Sequence, residues 1–291
     1  MPTSDFSAAP LTAAQGINLM SNWLRFPEPR SPHAATRLFC LAHAGGGATA
    51  FRPLMAATPP DLEVIAAELP GHGDRILERP MSDISDMAAA IRSAMGPYLD
   101  RPYAIYGHSM GAAVAIAVAQ QLAADPDVPS PFTLVVGGCA PAADYADSSW
   151  CLSPECSDEE LITWMRRVGG TPPGVLAAPR LLRLVLRLMR ADLAVLDSWW
   201  RTHQAAALPH PIRAIAGRGD VVVPAEEMAG WQAETAAGFS LTVVDGDHFF
   251  YAQAARVVLE LVAADRAALL SFPCGGRAGG SASSISQERL Q

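Results

Sequence analysis

Three residues stand at well-separated points of the chain, each just past an apolar run: Ser109 in "GHSMG", Asp220 in "GRGDVVVP" and His248 in "GDHFFY". A serine hydroxyl is a weak nucleophile near neutral pH until a base takes its proton. The base in turn needs an acid to fix its tautomer and to stabilise the imidazolium. This set of residue types is suited to acyl transfer through a covalent acyl-serine. Ser109 is the sharpest of the three, because Gly107 and Gly111 flank it between an apolar run and an alanine-rich helical pattern. A serine at such an elbow is held in a strained backbone conformation with its hydroxyl exposed, above a helix N-terminus that favours developing negative charge.

Seven histidines compete for the role of base. His248 follows the last strand-like run and precedes the C-terminal helical pattern, where the chain order serine, acid, histidine of an α/β-hydrolase puts it. His33, His203 and His210 lack such a placement, and His108, inside the elbow, reads as a packing residue beside it. For the acid, Asp220 follows the run at 212–217. Asp144 and Asp147, after the preceding run, are its rivals, and Asp245 and Asp247 are better suited to shaping the turn before His248. A tetrahedral intermediate needs backbone donors. Met110, directly after the serine, supplies one; the other is expected from the loop "HAGGG", where Gly45, Gly46 and Gly47 admit close approach of the main chain, and position nominates the N–H of Ala44.

The elements that must carry these residues are legible as short β-rich runs at 37–44, 62–69, 103–109, 132–140, 212–217 and 241–246, alternating with helical patterns at 84–95, 111–124, 226–236 and 250–269. Near-continuous apolar strands separated by helices predict an α/β fold with a mostly parallel sheet covered on both faces. About seventy residues intervene between the run ending near Ala140 and the one starting at Ile212, far more than the roughly 2–6 of a simple connection. They predict a helical lid insertion over 142–211, dividing the core into 36–141 and 212–270, with its apolar side chains, Leu161, Trp164, Leu188 and Trp199 among them, expected to line a pocket over Ser109. Within it, Ser157 and Glu160 form a capping box, Gly169 and Gly170 supply a stop, and a long helix over about 179–200 carries Arg180, Arg183, Arg187 and Arg190 as one basic stripe. That stripe is read either as a solvated helix face or as a docking surface. Residues 1–35 read as a leader on the domain surface, and the Gly/Ser-rich 271–291 as a disordered tail.

With 291 residues, half of them hydrophobic, the chain has material for a large core, and its net charge of −8 argues against nucleic-acid binding. All its formal positive charge is arginine, since it contains no lysine. No apolar run approaches a membrane span and the N-terminus does not read as a secretory signal, so a cytoplasmic protein is expected. The five cysteines, odd in number and irregularly spaced, indicate neither a disulfide framework nor a zinc site. No metal or organic cofactor is called for.

The segments "LFCLAHAGGGATAFRPL", "LPGHGDR", "YGHSMGAAVA", "GRGDVVVP" and "GDHFF", spread over about residues 36–270, resemble the stand-alone type II thioesterases of polyketide synthase and nonribosomal peptide synthetase systems. The resemblance implies an α/β-hydrolase fold; a monomer is expected. It puts the nucleophile on Ser109, the acid on Asp220, the base on His248 and the oxyanion donors on Ala44 and Met110. The implied activity is hydrolysis of acyl groups from the phosphopantetheine arm of an acyl carrier protein or peptidyl carrier protein, freeing stalled or misprimed arms. Family members often carry arginine where this chain has His72. From the residues alone, a carboxylesterase, an acyltransferase using the same three groups, and a non-catalytic binding module on a hydrolase scaffold remain alternatives.

Overall fold

A computed structural model describes residues 23–142 and 152–271. Asp144, Asp147 and the tail assigned to 271–291, apart from Ser271, lie outside the described residues. Seven strands form one sheet: β1 (Leu24–Arg25), β2 (Thr36–Leu41), β3 (Leu62–Ala67), β4 (Tyr103–His108), β5 (Leu134–Gly137), β6 (Ile212–Gly217) and β7 (Phe239–Val244). Their order is β1-β3-β2-β4-β5-β6-β7, and every pairing is parallel except that of β1 with β3. β1 falls within the expected leader, so the described end of that segment is an edge strand of the sheet and not a strap across the surface. Two residues are too short a run to carry a pattern of alternation.

The sheet is sandwiched because successive side chains point to opposite faces and both sets are apolar. In β2, Phe39 and Leu41 join a core on one side with helices α2 (Ile84–Met95) and α3 (Met110–Ala123). Leu38 and Cys40 join a second core on the other side with α1 (Arg52–Ala57) and α7 (Tyr251–Ser271). The alanines of α3 have a steric reason. This helix is buried almost all round, and its residue Gly111 lies so close to β2 that a Cβ there would sit 2.1 Å from the Leu41 carbonyl oxygen.

Between β5 and β6 the described residues form α4 (Asp158–Val168), α5 (Pro173–Leu176) and α6 (Pro179–Thr202). The capping box opens α4, with the Glu160 N–H donating to Ser157 Oγ and the Ser157 N–H donating to Glu160 Oε2. The stretch expected as a helix at 226–236 is instead a run of 3-10 turns, Glu227–Glu234. Chain order reverses between β2 and β4: β3 lies on one side of β2 and β4 on the other. The carboxyl ends of these two strands form the crevice in which open α/β sheets bind ligands. The "HAGGG" loop leaves β2 there, and Ser109 leaves β4.

Candidate active site

Ser109 has φ 56°, ψ −124°, and among the described residues it is the one non-glycine with positive φ. The strain is held from both sides. Its N–H donates to the Gly137 carbonyl of β5 at 2.7 Å, and its carbonyl accepts from the Ala112 N–H at 2.8 Å. Gly107 is needed because a Cβ would meet the Gly111 carbonyl oxygen at 2.1 Å. A residue kept in so unfavourable a conformation marks a position where the hydroxyl's direction matters more than local comfort.

The hydroxyl points at His248: Oγ lies 3.0 Å from Nε2, while Nδ1 lies 2.9 Å from Asp220 Oδ2. Asp220 follows β6, and its other oxygen accepts from the N–H groups of Val222 and Val223 at 2.7 and 3.0 Å. The carboxylate is thereby fixed in place and buried. Asp247 accepts from the Phe249 N–H, shaping the turn under His248, and Asp245 pairs with Arg218 at the surface. The structure thus brings together Ser109, Asp220 and His248 from the ends of β4, β6 and β7. Ala44 lines the same pocket as Ser109, within a turn closed by the Gly46 N–H donating to the His43 carbonyl. The Met110 side chain is buried in the core; its N–H belongs to the first turn of α3, where no intrahelical acceptor exists.

Above these groups is a pocket of about 250 Å³. Its floor is His43, Ala44, Gly45, Ser109 and His248; α4 to α6 provide Trp164, Met165, Val185, Leu188 and Met189 as walls. Of the apolar residues expected to line it, Trp164 and Leu188 do so. Leu161 instead fills the interior between α4 and α6. Trp199 stacks on Trp231 in the main core. Helical spacing identifies which residues are buried, not which neighbour buries them. Gly169 and Gly170 end α4 at φ +85° and +79°, and a Cβ on Gly170 would lie 2.4 Å from the Phe249 ring. The stop expected from sequence is also the seat for the residue after His248.

Several interactions around the site lay beyond the sequence reading. His108 Nε2 donates to the His248 carbonyl at 2.7 Å, so the fully buried imidazole holds the His248 backbone. Burial, then the neighbouring His248 and His43, holds its pKa well below the usual histidine range. It is a neutral ring with its hydrogen on Nε2. The Tyr251 hydroxyl accepts from the His43 N–H and bonds its Nδ1 at 2.7 Å. Burial foremost, with His248 and His72, lowers His43 to about 3. On the insert side, Asp192 of α6 is fully buried; its Oδ2 accepts from the Gly45 N–H at 2.6 Å and lies 3.0 Å from His72 Nε2. His72 Nδ1 also faces an acceptor, the Pro70 carbonyl at 3.2 Å. Burial lowers the His72 pKa, but Asp192, that carbonyl and Glu68 outweigh it, so the net shift is upward.

The basic stripe divides. Arg190 turns inward to Asp158 and to the carbonyls of Pro154 and Cys156, while Arg180, Arg183 and Arg187 are exposed along α6. Cys40 and Cys139 are buried, with thiol pKa values raised by burial. No helix among the described residues is long and apolar enough to cross a membrane.

Comparison with known proteins places this geometry. Residues 36–265 match the thioesterase domain family. The gramicidin S biosynthesis protein GrsT of Aneurinibacillus migulanus is 31% identical over 79% of this chain and 88% of its own. The thioesterase PikA5 of Streptomyces venezuelae is 31% identical over 83% and 82%. Among solved structures, the type II thioesterase BorB from the borrelidin biosynthetic cluster superposes with a TM-score of 0.71 at 30% identity, covering 84% of this chain and 97% of that one. An α/β-hydrolase sheet with these relatives is a hydrolase acting on thioesters, and the chain belongs to the thioesterase domain family.

Proposed function

We propose that this protein is a stand-alone editing thioesterase that hydrolyses acyl groups from the phosphopantetheine arm of acyl or peptidyl carrier proteins in the cytoplasm, with Ser109 as nucleophile, His248 as base and Asp220 as its orienting acid. The observation that carries the reading is the unbroken series Ser109 Oγ, His248 Nε2, His248 Nδ1, Asp220 Oδ2, with links of 3.0 and 2.9 Å, at the floor of an apolar pocket. His248 takes the Ser109 proton as the oxygen attacks the thioester carbonyl. The N–H groups of Ala44 and Met110 hold the oxyanion, and the pantetheine thiolate leaves with the proton carried by His248. Water, deprotonated by the same imidazole, then attacks the acyl-serine and Ser109 leaves protonated.

The pocket walls from α4 and α6 act as a lid over the acyl chain, so chain selection lies with Trp164, Leu188 and Met189 and bond cleavage with the floor. The exposed Arg180, Arg183 and Arg187 supply positive charge on a chain of net −8, on the same helix that lines the pocket. They suit the acidic surface of a carrier domain or the phosphate of its arm.

The test is hydrolysis of a panel of acyl-carrier proteins, acyl-pantetheine thioesters and simple esters, with Ser109→Ala as control. Thioester turnover that Ser109→Ala abolishes is expected; a clear preference for plain esters overturns the substrate class, and full activity of Ser109→Ala overturns the nucleophile. Reversing Arg180, Arg183 and Arg187 to glutamate is expected to raise KM for the carrier substrate by about tenfold and to leave the small thioester untouched. Equal effects on both substrates would move the stripe back to a solvated face.

A further inference from the structure

The insert reaches the site floor through one buried carboxylate. Asp192 of α6 and the Gly45 N–H, 147 residues apart in sequence, meet at 2.6 Å, and the same oxygen takes His72 Nε2 at 3.0 Å. Gly45 follows Ala44 directly and has φ +77°, with Met189, one turn before Asp192 on α6, packed where its Cβ would be: a Cβ there would lie 2.8 Å from Met189 Sδ. Gly46 and Gly47 are equally confined, the first against the His43 ring and the second against the Glu68 carboxylate. The main chain after Ala44 therefore has little room to choose its own direction.

We propose that Asp192 is a positioning residue for the thioesterase reaction: from the insert it clamps the turn that carries the Ala44 oxyanion donor, so that the helix lining the acyl pocket and the donor move as one unit. This rests on the function proposed above. Asp192 does not touch the acyl group; it acts through the Gly45 peptide. Hydrogen bonds to a charged group are short and strong, and a donor displaced by about an ångström stabilises the oxyanion far less than the ground-state carbonyl position would reveal. His72 completes the clamp. Both its ring nitrogens face acceptors, Asp192 and the Pro70 carbonyl, which is the arrangement of an imidazolium. The cation pairs with the buried Asp192 carboxylate and ties it to the loop after β3, and the raised His72 pKa agrees. Glu68 adds to that negative field, while His43 faces it as a neutral ring.

The experiment compares Asp192→Ala and Asp192→Asn with the intact protein on a small acyl-pantetheine thioester. It also measures the affinity of an acyl trifluoromethyl ketone, whose adduct with the serine carries the oxyanion. Asp192→Ala is expected to lower kcat about 10- to 100-fold with KM nearly constant, and to weaken the ketone by a matching factor. Asp192→Asn, which keeps an oxygen for the Gly45 N–H, is expected to recover most of that loss. Wild-type kcat in folded Asp192→Ala, a loss confined to KM, or unchanged ketone affinity overturns the proposal. If Asp192→Ala does not fold, Asp192→Ser, whose hydroxyl is too short to hold the Gly45 N–H, takes its place under the same criteria: a parallel loss in kcat and ketone affinity supports the clamp, and wild-type values of both overturn it. Ser109→Ala in the same assay separates the two readings, since an active Ser109→Ala removes the catalytic assignment, whereas an inert one beside an unaffected Asp192→Ala removes the clamp alone.

Discussion

Two histidine–aspartate pairs flank the pocket, nearly identical in length and burial. His248 and Asp220 meet at 2.9 Å on the side of β6 and β7; His72 and Asp192 meet at 3.0 Å on the side of β3 and α6. The second ring nitrogen separates them. In His248 it faces a serine hydroxyl, a group that can give up a proton; in His72 it faces the Pro70 carbonyl, which can only accept one. A carboxylate beside a buried imidazole does not make a catalytic base. Under the function proposed above, such a pair serves as base and orienting acid where its far end opens on a nucleophile, and as a clamp where its far end is closed.

Breaking the open pair has the largest expected effect. Asp220→Asn keeps the shape, but the Asn side chain can present its N–H to the imidazole and so favour the wrong tautomer. A fall in kcat of about 10³–10⁴-fold is expected, with folding intact because the Val222 and Val223 N–H groups retain an acceptor. Steady-state kinetics on an acyl-pantetheine thioester reads this. A loss below about tenfold would mean that another acid orients His248.

His108 tests whether the open pair depends on its backbone anchor. His108→Leu removes the donor to the His248 carbonyl inside the core, costing about 1–3 kcal/mol of stability for the unpaired carbonyl. Denaturant unfolding measures that. Because the backbone of His248 then loses its fixed position, kcat is expected to fall by about tenfold. Unchanged kcat in a destabilised protein would leave His108 a packing residue alone.

The open pair was legible in sequence because each member is fixed by local chemistry. Gly107, Ser109 and Gly111 are spaced by the steric needs of one turn; Asp220 and His248 follow strands whose apolar runs identify themselves. The closed pair was not. Asp192 is one acid in a helix rich in leucine and arginine, and only the packing of α6 on the loop after β2 decides that its side of the helix faces inward. His72 was visible as a departure from a family pattern, yet its partner lies 120 residues away. The same limit explains Leu161 and Trp199, expected among the apolar residues of the lid over the pocket but packed instead between α4 and α6 and in the main core. The edge strand at Leu24–Arg25 is held by pairing with β3 and has no pattern of its own.

The smallest expected effect concerns the protons that the closed pair holds. His72 binds its proton more tightly in the folded chain than at the ordinary value of 6.5. Its contribution to stability is therefore complete below that value and is lost as pH rises through the raised folded pKa. His43 and His108 have the opposite sign: both are held neutral, so the unfolded chain takes up protons that the folded chain refuses, and stability falls as pH drops below 6.5. Tm should accordingly decline on both sides. His72→Gln keeps a donor toward Asp192 without a titrating proton, so it should abolish the alkaline decline and leave the acid one. Thermal melts of both proteins from about pH 5 to about pH 9 should show the wild type's advantage in Tm shrinking with rising pH. A difference that stays constant across the range would mean that His72 does not titrate with folding.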